Sequence, residues 1–132
     1  MNQADSIHLS STESYLTKIY YMISEGNLTQ AQHYLQNLKS PDQKDQKNSI
    51  LLTWLQALID FGLGKYKESL KNLKKVFETQ PRCPPSIRFA IGLCYYRLDN
   101  IVKARIAFEK VLELDPGHSM ANAALAVIDL QS

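Results

Sequence analysis

The chain has 132 residues, of which 45% are hydrophobic and 21% are charged, and its formal net charge is +2 at pH 7. This length suffices for one domain with a modest core, and the composition is ordinary for a globular chain. The small net charge gives no argument for a nucleic-acid or membrane partner, and no apolar run approaches the roughly 20 residues of a membrane-spanning helix.

The N-terminal residues MNQADSIHLSSTES are polar and lack the basic and apolar regions of a signal peptide. We expect residues 1–11 to be disordered. Further along, the two cysteines, Cys83 and Cys94, match no metal-ligand spacing. This pattern argues against a disulfide framework and favours a reducing compartment, cytosolic or nuclear.

Three segments, beginning at Tyr15, Leu51 and Ser86, share one pattern with a period of about 34 residues. Each has an apolar first half with helical spacing, then a turn signal, then a second helical half that stops near a proline. The turn signals are Glu25-Gly26-Asn27, Leu63-Gly64-Lys65 and Asp99-Asn100. Glycine supplies the positive φ that ends a helix, so the pattern predicts pairs of helices, with short insertions after the first two pairs.

Small and large residues recur at fixed places in these predicted helices. In the second helices, a small residue precedes a larger apolar one by four positions on the same face; the pairs are Ala31 and Leu35, Ser69 and Leu73, and Ala104 and Phe108. In the first helices the small residues are Ala57, Gly92 and Ala126. They permit close helix contact, so the pattern describes how helices pair and names no reaction.

These spacings resemble the tetratricopeptide repeat (TPR) family. In the repeat that begins at Pro85, the small, aromatic, small, aromatic and proline positions of the family fall on Gly92, Tyr95, Ala104, Phe108 and Pro116. The repeat near Ile50 matches through Ala57, Gly64, Tyr66, Ser69 and Pro81, and the one near Thr12 matches through Gly26, Ala31 and Leu35. The resemblance implies an all-α, right-handed solenoid of helical hairpins, with seven helices in about three and a half repeats at residues 12–45, 50–84, 85–118 and 119–132.

The last segment, SMANAALAVIDLQS, begins where a fourth repeat would begin and is apolar almost all round. A terminal helix of a solenoid normally has a polar outer face. We therefore expect the chain to be a fragment of a longer solenoid, and the alternative is a short protein that dimerises through this end. In either case the exposed ends favour oligomerisation.

No pattern for a catalytic, cofactor or metal site occurs. His8, His33 and His118 lie in different segments without a companion at ligand spacing, and Gly62-Leu63-Gly64 lacks the spacing of a phosphate-binding loop. We interpret Cys94 as a small buried residue on a packing face and Cys83 as an exposed loop residue without a reactive role. The sequence therefore predicts a non-enzyme with no catalytic residue, cofactor or metal ion.

In TPR arrays the first helices line a concave surface, so the resemblance implies a groove. The matching positions are all apolar or aromatic: Leu16, Tyr20, Ile23, Trp54, Leu58, Phe61, Phe89, Leu93 and Tyr96. An exposed apolar stripe marks an interaction surface, and the competing interpretation is that these side chains fill the space between adjacent helices. If the groove is open, replacing Trp54 and Phe89 by Ala is expected to abolish binding without unfolding the chain.

A basic stripe lies on the second helix of the second repeat, made of Lys67, Lys71, Lys74 and Lys75. We interpret it as a solvated convex face. A phosphate contact is disfavoured because no aromatic residues are interleaved with the lysines and the chain has no large basic excess. Neither direct nucleic-acid contact nor membrane contact is expected.

A narrower pattern surrounds the third repeat. It comprises Cys83-Pro84, Arg88, Gly92-Leu93-Cys94, the run Lys103-Ala104-Arg105 with Ala107 and Phe108, Leu112-Glu113-Leu114, and residues 125–130. This pattern resembles the TPR scaffold subunit (Ctr-nine) of the RNA polymerase II-associated factor (Paf) complex. The resemblance implies a nuclear, non-catalytic scaffold in transcription elongation that supports histone modification, with Paf-complex subunits and RNA polymerase II as partners. The alternative is a stand-alone TPR adaptor, nuclear or cytoplasmic, that binds an apolar peptide.

Overall fold

The computed structural model of the chain describes residues 11–38 and 46–131. Within these ranges it contains seven α-helices and no strand. The helices are α1 (Ser11–Ser24), α2 (Leu28–Leu38), α3 (Gln46–Gly62), α4 (Tyr66–Thr79), α5 (Pro85–Arg97), α6 (Ile101–Leu114) and α7 (Ser119–Gln131). The prediction of an all-α chain with seven helices is therefore confirmed for the described part of the chain.

The helix boundaries differ from the predicted repeat boundaries at two places. Helix α3 begins at Gln46, about one turn before the predicted repeat start near Ile50, so the end of the polar insertion forms the first turn of this helix. Helix α1 begins at Ser11. The rest of the predicted disordered segment, residues 1–10, and residues 39–45 of the first junction lie outside the described residues.

Each helical hairpin turns at a residue in the left-handed region, namely Gly26 (φ +84°), Gly64 (φ +81°) and Asp99 (φ +64°). The N–H of Gly26 donates to the carbonyl of Ile23 at 3.0 Å, and the next N–H, of Asn27, donates to Met22 at 2.9 Å. The other two turns repeat this pair of bonds, which closes the C-terminus of the first helix as a Schellman motif. Aspartate tolerates the left-handed region better than most residues, so the third turn forms without glycine.

The helices pack in sequence: each contacts the next one along the chain, and α1 also contacts α3. Buried residues form three clusters, one across α1 to α3, one across α3 to α5 and one across α5 to α7. Trp54 packs against the first two clusters and Tyr95 against the last two. The core is thus a chain of overlapping clusters in which each hairpin depends on its neighbours.

Residues predicted to set the helix packing occupy three kinds of position. Eight are buried: Ala31, Leu35, Ala57, Ser69, Leu73, Gly92, Ala104 and Phe108. Tyr95 is half-buried. Gly64, Pro81 and Pro116 are exposed, the first in a hairpin turn and the prolines just after α4 and α6 end.

Helices α5 and α6 approach so closely that a glycine is required between them. A Cβ atom added at Gly92 would lie 2.5 Å from Cε1 and 2.8 Å from Cδ1 of Phe108. In the preceding hairpin, the fully buried Ser69 Oγ donates to the carbonyl oxygen of Ala57 at 2.7 Å. The interface between the two helices of a hairpin therefore rests on different contacts in the two repeats. In the third repeat the Phe108 ring packs on Gly92, and in the second the Ser69 hydroxyl donates to the Ala57 carbonyl.

We expect Gly92→Ala to reduce the free energy of unfolding by up to about 2 kcal/mol. The buried Phe108 ring must move, which costs about 1–3 kcal/mol, and the helix propensity gained from Ala offsets about 1 kcal/mol of that. Urea unfolding of both proteins measures the difference. Gly117→Ala is the matched control, because its new Cβ would meet only Asp115 Oδ1 at 3.8 Å and should leave stability unchanged or slightly higher. Equal losses in the two variants would contradict this account.

Candidate protein-interaction surface

The nine residues predicted for the concave groove lie on α1, α3 and α5, three on each helix. They differ in exposure: Leu16 and Phe89 are buried, with 7% and 8% of their surface exposed, while Tyr20 is 48% exposed. The other six are half-buried: Ile23, Trp54, Leu58, Phe61, Leu93 and Tyr96. The set therefore serves partly as core between adjacent helices and partly as surface.

The burial of Phe89 corrects one expectation. Its ring packs 5.4 Å from the ring of Phe108 and 5.2 Å from that of His118, measured between centroids. Trp54 in turn packs against two core clusters. Replacing either by Ala removes core contacts, which typically costs about 3–5 kcal/mol for a fully buried Phe or Trp, so we expect such variants to lose stability as well as alter the groove.

The open part of the groove is a shallow depression between α1 and α3, with a volume of about 270 Å³. The rings of Tyr20 and Trp54 stack across it, with centroids 5.7 Å apart and planes 16° apart. Its lining is mostly apolar and comprises Leu16, Thr17, Tyr20, Leu51, Trp54 and Leu55. The volume falls below the usual range for drug-sized ligands, so the depression suits one or two apolar side chains of a peptide.

Elsewhere in the groove, aromatic side chains are engaged with the chain itself. Phe61 packs edge-on against Tyr66, with centroids 5.2 Å apart, and the Tyr96 hydroxyl donates to Gln131 Oε1 at 3.0 Å. These contacts hold α3 to α4 and α5 to α7. The α1–α3 depression is therefore the part of the predicted groove best suited to a partner.

A polar network that the sequence did not predict links α2, α3 and α4. Gln32 and Gln56 form a reciprocal amide pair at 3.1 and 2.6 Å. Gln56 Nε2 also donates to Asp60 Oδ1 at 3.0 Å, and Asn72 Nδ2 donates to Asp60 Oδ2 at 3.1 Å. Asp60 is only 6% exposed. The available signal was a Gln and an Asp four residues apart on an otherwise apolar helix, a spacing that puts both on one face.

We expect Asp60→Ala to reduce the free energy of unfolding by about 1–3 kcal/mol, because it leaves the part-buried amide of Asn72 without its acceptor and removes one of the two acceptors of the Gln56 amide. Thermal and urea unfolding measure the loss. Glu68→Ala, on the exposed face of α4, is the control and should change stability by less than about 0.5 kcal/mol. If the two variants are equally stable, the network does not hold the hairpins together.

Neither cysteine has the environment of a reactive thiol. Cys94 is fully buried, and burial raises its pKa despite a hydrogen bond with Ser69 that acts in the opposite direction. Cys83 is half-buried against the second cluster, which corrects the expectation that it is exposed. Burial raises its pKa as well, partly offset by the charge of Arg88. A raised pKa lowers the thiolate fraction at neutral pH, so both thiols are poor nucleophiles there.

The histidines that the structure describes have structural contacts. His118 Nδ1 accepts the N–H of Ala121 at 3.1 Å and so caps α7, and the rings of His33 and Tyr34 pack edge-on. His8 lies outside the described residues. Among residues 11–38 and 46–131, no three His, Cys, Asp or Glu side chains are placed to hold a metal ion. No helix in these ranges combines the length and apolar character needed to cross a membrane.

Helix α7 has a second apolar surface. Ala121 and Ile128 are buried against the rest of the third cluster. Met120, Val127 and Leu130 are 60%, 44% and 86% exposed. Ala126 is also exposed, although Ala57 and Gly92, its counterparts in the earlier repeats, are buried under their partner helices. One face of α7 therefore remains uncovered in this chain.

Comparison with known proteins agrees with this geometry. Residues 85–118, which contain α5 and α6, match the family model described as tetratricopeptide repeat. This hairpin is a tetratricopeptide repeat. The structure of PcrH in complex with the chaperone binding region of PopB superposes with a TM-score of 0.67, covering 92% of this chain and 98% of that one. At 18% sequence identity, this likeness shows the fold alone, and it confirms the predicted TPR-type solenoid.

Three relatives illustrate the similarity in sequence. The chain is 34% identical over 131 residues to the protein CTR9 homolog of Arabidopsis thaliana, covering 99% of this chain and 12% of that relative. It is 29% identical over 72 residues to tetratricopeptide repeat protein 1 of Schizosaccharomyces pombe, which covers 54% of this chain. It is 27% identical over 77 residues to the RNA polymerase-associated protein CTR9 of Caenorhabditis elegans, which covers 58% of this chain.

The TPR match and these relatives confirm the two resemblances predicted from the sequence, to the TPR family and to a CTR9-like TPR region. The chain spans only 12% of the Arabidopsis relative and 7% of each of the other two. Together the TPR repeat and the relatives support a protein-interaction scaffold and point to a non-catalytic fold.

Proposed function

We propose that the chain is a TPR segment of a scaffold in the Paf transcription-elongation complex, which works in the nucleus by holding partner proteins against RNA polymerase II. The observation that carries the proposal is the 34% identity to the CTR9 homolog along 99% of the chain. Unrelated TPR proteins share chiefly the packing positions. A likeness that extends through α1 and α2, where the repeat signature is weakest, favours a common function.

The geometry suits a scaffold because its surfaces are held at fixed separations. Each hairpin is joined to the next through a shared buried cluster, so partner segments that contact different helices are held in a defined order. The helices supply contact area and take no part in chemistry. Support of histone modification would then follow from bringing modifying factors to the polymerase.

The proposal is tested by tagging the full-length protein at its own locus and purifying it from nuclear extract. We expect mass spectrometry to recover RNA polymerase II and the other Paf-complex subunits, enriched over an untagged strain, and fluorescence microscopy to show the protein in the nucleus. Recovery of heat-shock proteins or of a single cytosolic partner, without polymerase, would overturn Paf-complex membership and leave the TPR fold unaffected.

A second candidate function is that of a stand-alone TPR adaptor, and the α1–α3 depression favours it. Here an extended peptide would place an apolar side chain against the stacked rings of Tyr20 and Trp54. Both functions share this surface and differ in the proteins that occupy it. The purification above separates them by the identity of the partners.

We expect Tyr20→Ser to reduce the recovery of whichever partner uses the depression by about tenfold, the effect of losing an aromatic anchor worth about 1.4 kcal/mol. Tyr20 is 48% exposed, so the variant should remain folded, as urea unfolding would show. Val102→Ser is the control, since it removes a 72% exposed apolar side chain from α6. Wild-type recovery with Tyr20→Ser would exclude the depression as a partner site.

A further inference from the structure

The exposed face of α4 is strongly basic. Lys67, Lys71 and Lys74 recur at intervals of four and three residues, which places them on one side of the helix, and all three are exposed. Lys75 and Lys65 are exposed beside them. Within the described parts of the chain, the ion pairs join Arg105 to Asp129 and Lys110 to Glu113. No carboxylate among residues 11–38 and 46–131 forms an ion pair with the α4 lysines, which face solvent.

The tertiary structure adds an aromatic ring to this face, which corrects the interpretation that no aromatic residue accompanies the lysines. The ring of Tyr95, from α5, lies 5.3 Å from Lys74 Nζ and 5.6 Å from Lys103 Nζ, which comes from α6. Two ammonium groups from separate helices thus share one ring. Their attraction to the ring keeps both ammonium groups beside it, so positive charge from α4 and α6 gathers around Tyr95 and favours a nearby anion.

Cations also lie over aromatic rings at two other places where α4 and α5 are in contact. The Arg97 guanidinium lies over Tyr66 at 5.9 Å from the ring centroid, and that of Arg88 lies over Phe77 at 4.3 Å. The antiparallel helices therefore place a cation over a ring near both ends of the α4–α5 contact as well as at Tyr95. Each cation–ring contact restricts the rotamers of its Lys or Arg side chain, which lowers the entropic cost of binding an anion.

We propose that α4 to α6 present a docking surface for an acidic peptide segment of a partner protein, here called the basic seam and made of Lys67, Lys71 and Lys74 along α4 together with Lys103 and Tyr95. It lies on different helices from the α1–α3 depression and goes beyond the function proposed above. From Lys67 to Lys75 the helix rises by about 12 Å. That length matches about four residues of extended peptide, so the seam fits a short run of Asp or Glu.

A nucleic acid fits the seam less well. Base stacking needs open ring faces, but Tyr66, Phe77 and Tyr95 are half-buried and already in contact with cations. Glu68 and Glu78 are exposed on the same helix and repel any anion, so the seam accommodates a short acidic run better than a long phosphate backbone. The overall charge of +2 provides little long-range attraction for a polyanion.

The test is fluorescence anisotropy with the whole chain and three labelled probes: a peptide with six consecutive glutamates, the same peptide with six glutamines, and single-stranded oligouridylate of ten nucleotides. We expect the glutamate peptide to bind, weakening as salt increases, and the glutamine peptide not to bind. Failure of the glutamate peptide to bind at low salt would overturn the proposal. Tighter binding of the oligouridylate would overturn it in favour of a nucleic-acid surface.

Charge-reversal variants distinguish binding at the basic seam from a general effect of the net charge. Lys71→Glu should weaken binding of the glutamate peptide by about tenfold, as expected when a like charge enters the interface, and Lys71→Arg should preserve it. Lys18→Glu changes the net charge equally at an exposed position on α1 and should weaken binding less than about twofold. Equal losses in Lys71→Glu and Lys18→Glu would show a general charge effect and overturn the assignment. Circular dichroism of each variant checks that the helices remain formed.

Discussion

The close approach of the two helices in each hairpin is the constraint on which the rest of the structure depends. In the third hairpin the Phe108 ring rests on Gly92, and in the second the Ser69 hydroxyl donates to the Ala57 carbonyl. Both contacts need a residue with no side chain or a very short one on the facing helix. Because the helices lie so close, the next helix along the chain can pack into the angle between them, and the solenoid grows by repetition of that step.

This way of packing also determines which residues remain for partners. A solenoid has no single central core, so the first helices must supply both inter-repeat packing and surface. Leu16 and Phe89 are buried in the core and are not accessible to a partner, whereas Tyr20 is 48% exposed beside Trp54. Equivalent repeat positions also differ, since Tyr20 is exposed whereas Leu58 and Leu93 at the matching places are half-buried. The junctions between hairpins also differ, because the Gln32–Gln56–Asp60–Asn72 network joins the first two hairpins and a Ser69–Cys94 hydrogen bond joins the second and third.

Several local features were predictable because they depend on short-range physics. The three hairpin turns follow from Gly26, Gly64 and Asp99, which occupy the left-handed region that terminates a helix. Spacing arguments worked for helix number and type, and for the likeness to TPR and CTR9 proteins. They failed for the start of α3. Polar residues 46–49 were predicted to belong to a linker, but they form the first turn of the helix. Composition alone does not distinguish a solvated helical turn from a loop.

The sequence by itself determined the repeat, the helix pairs and their turns, because periodicity and backbone preference act between residues close in the chain. Only the tertiary structure decided which apolar side chains are covered and which charged ones gather. The exposure of Tyr20 depends on how α1 and α3 meet, and Lys74 and Lys103 lie near the same ring only because a third helix supplies it. Such contacts join residues far apart in sequence, where side-chain direction and helix packing, not local pattern, set the distances.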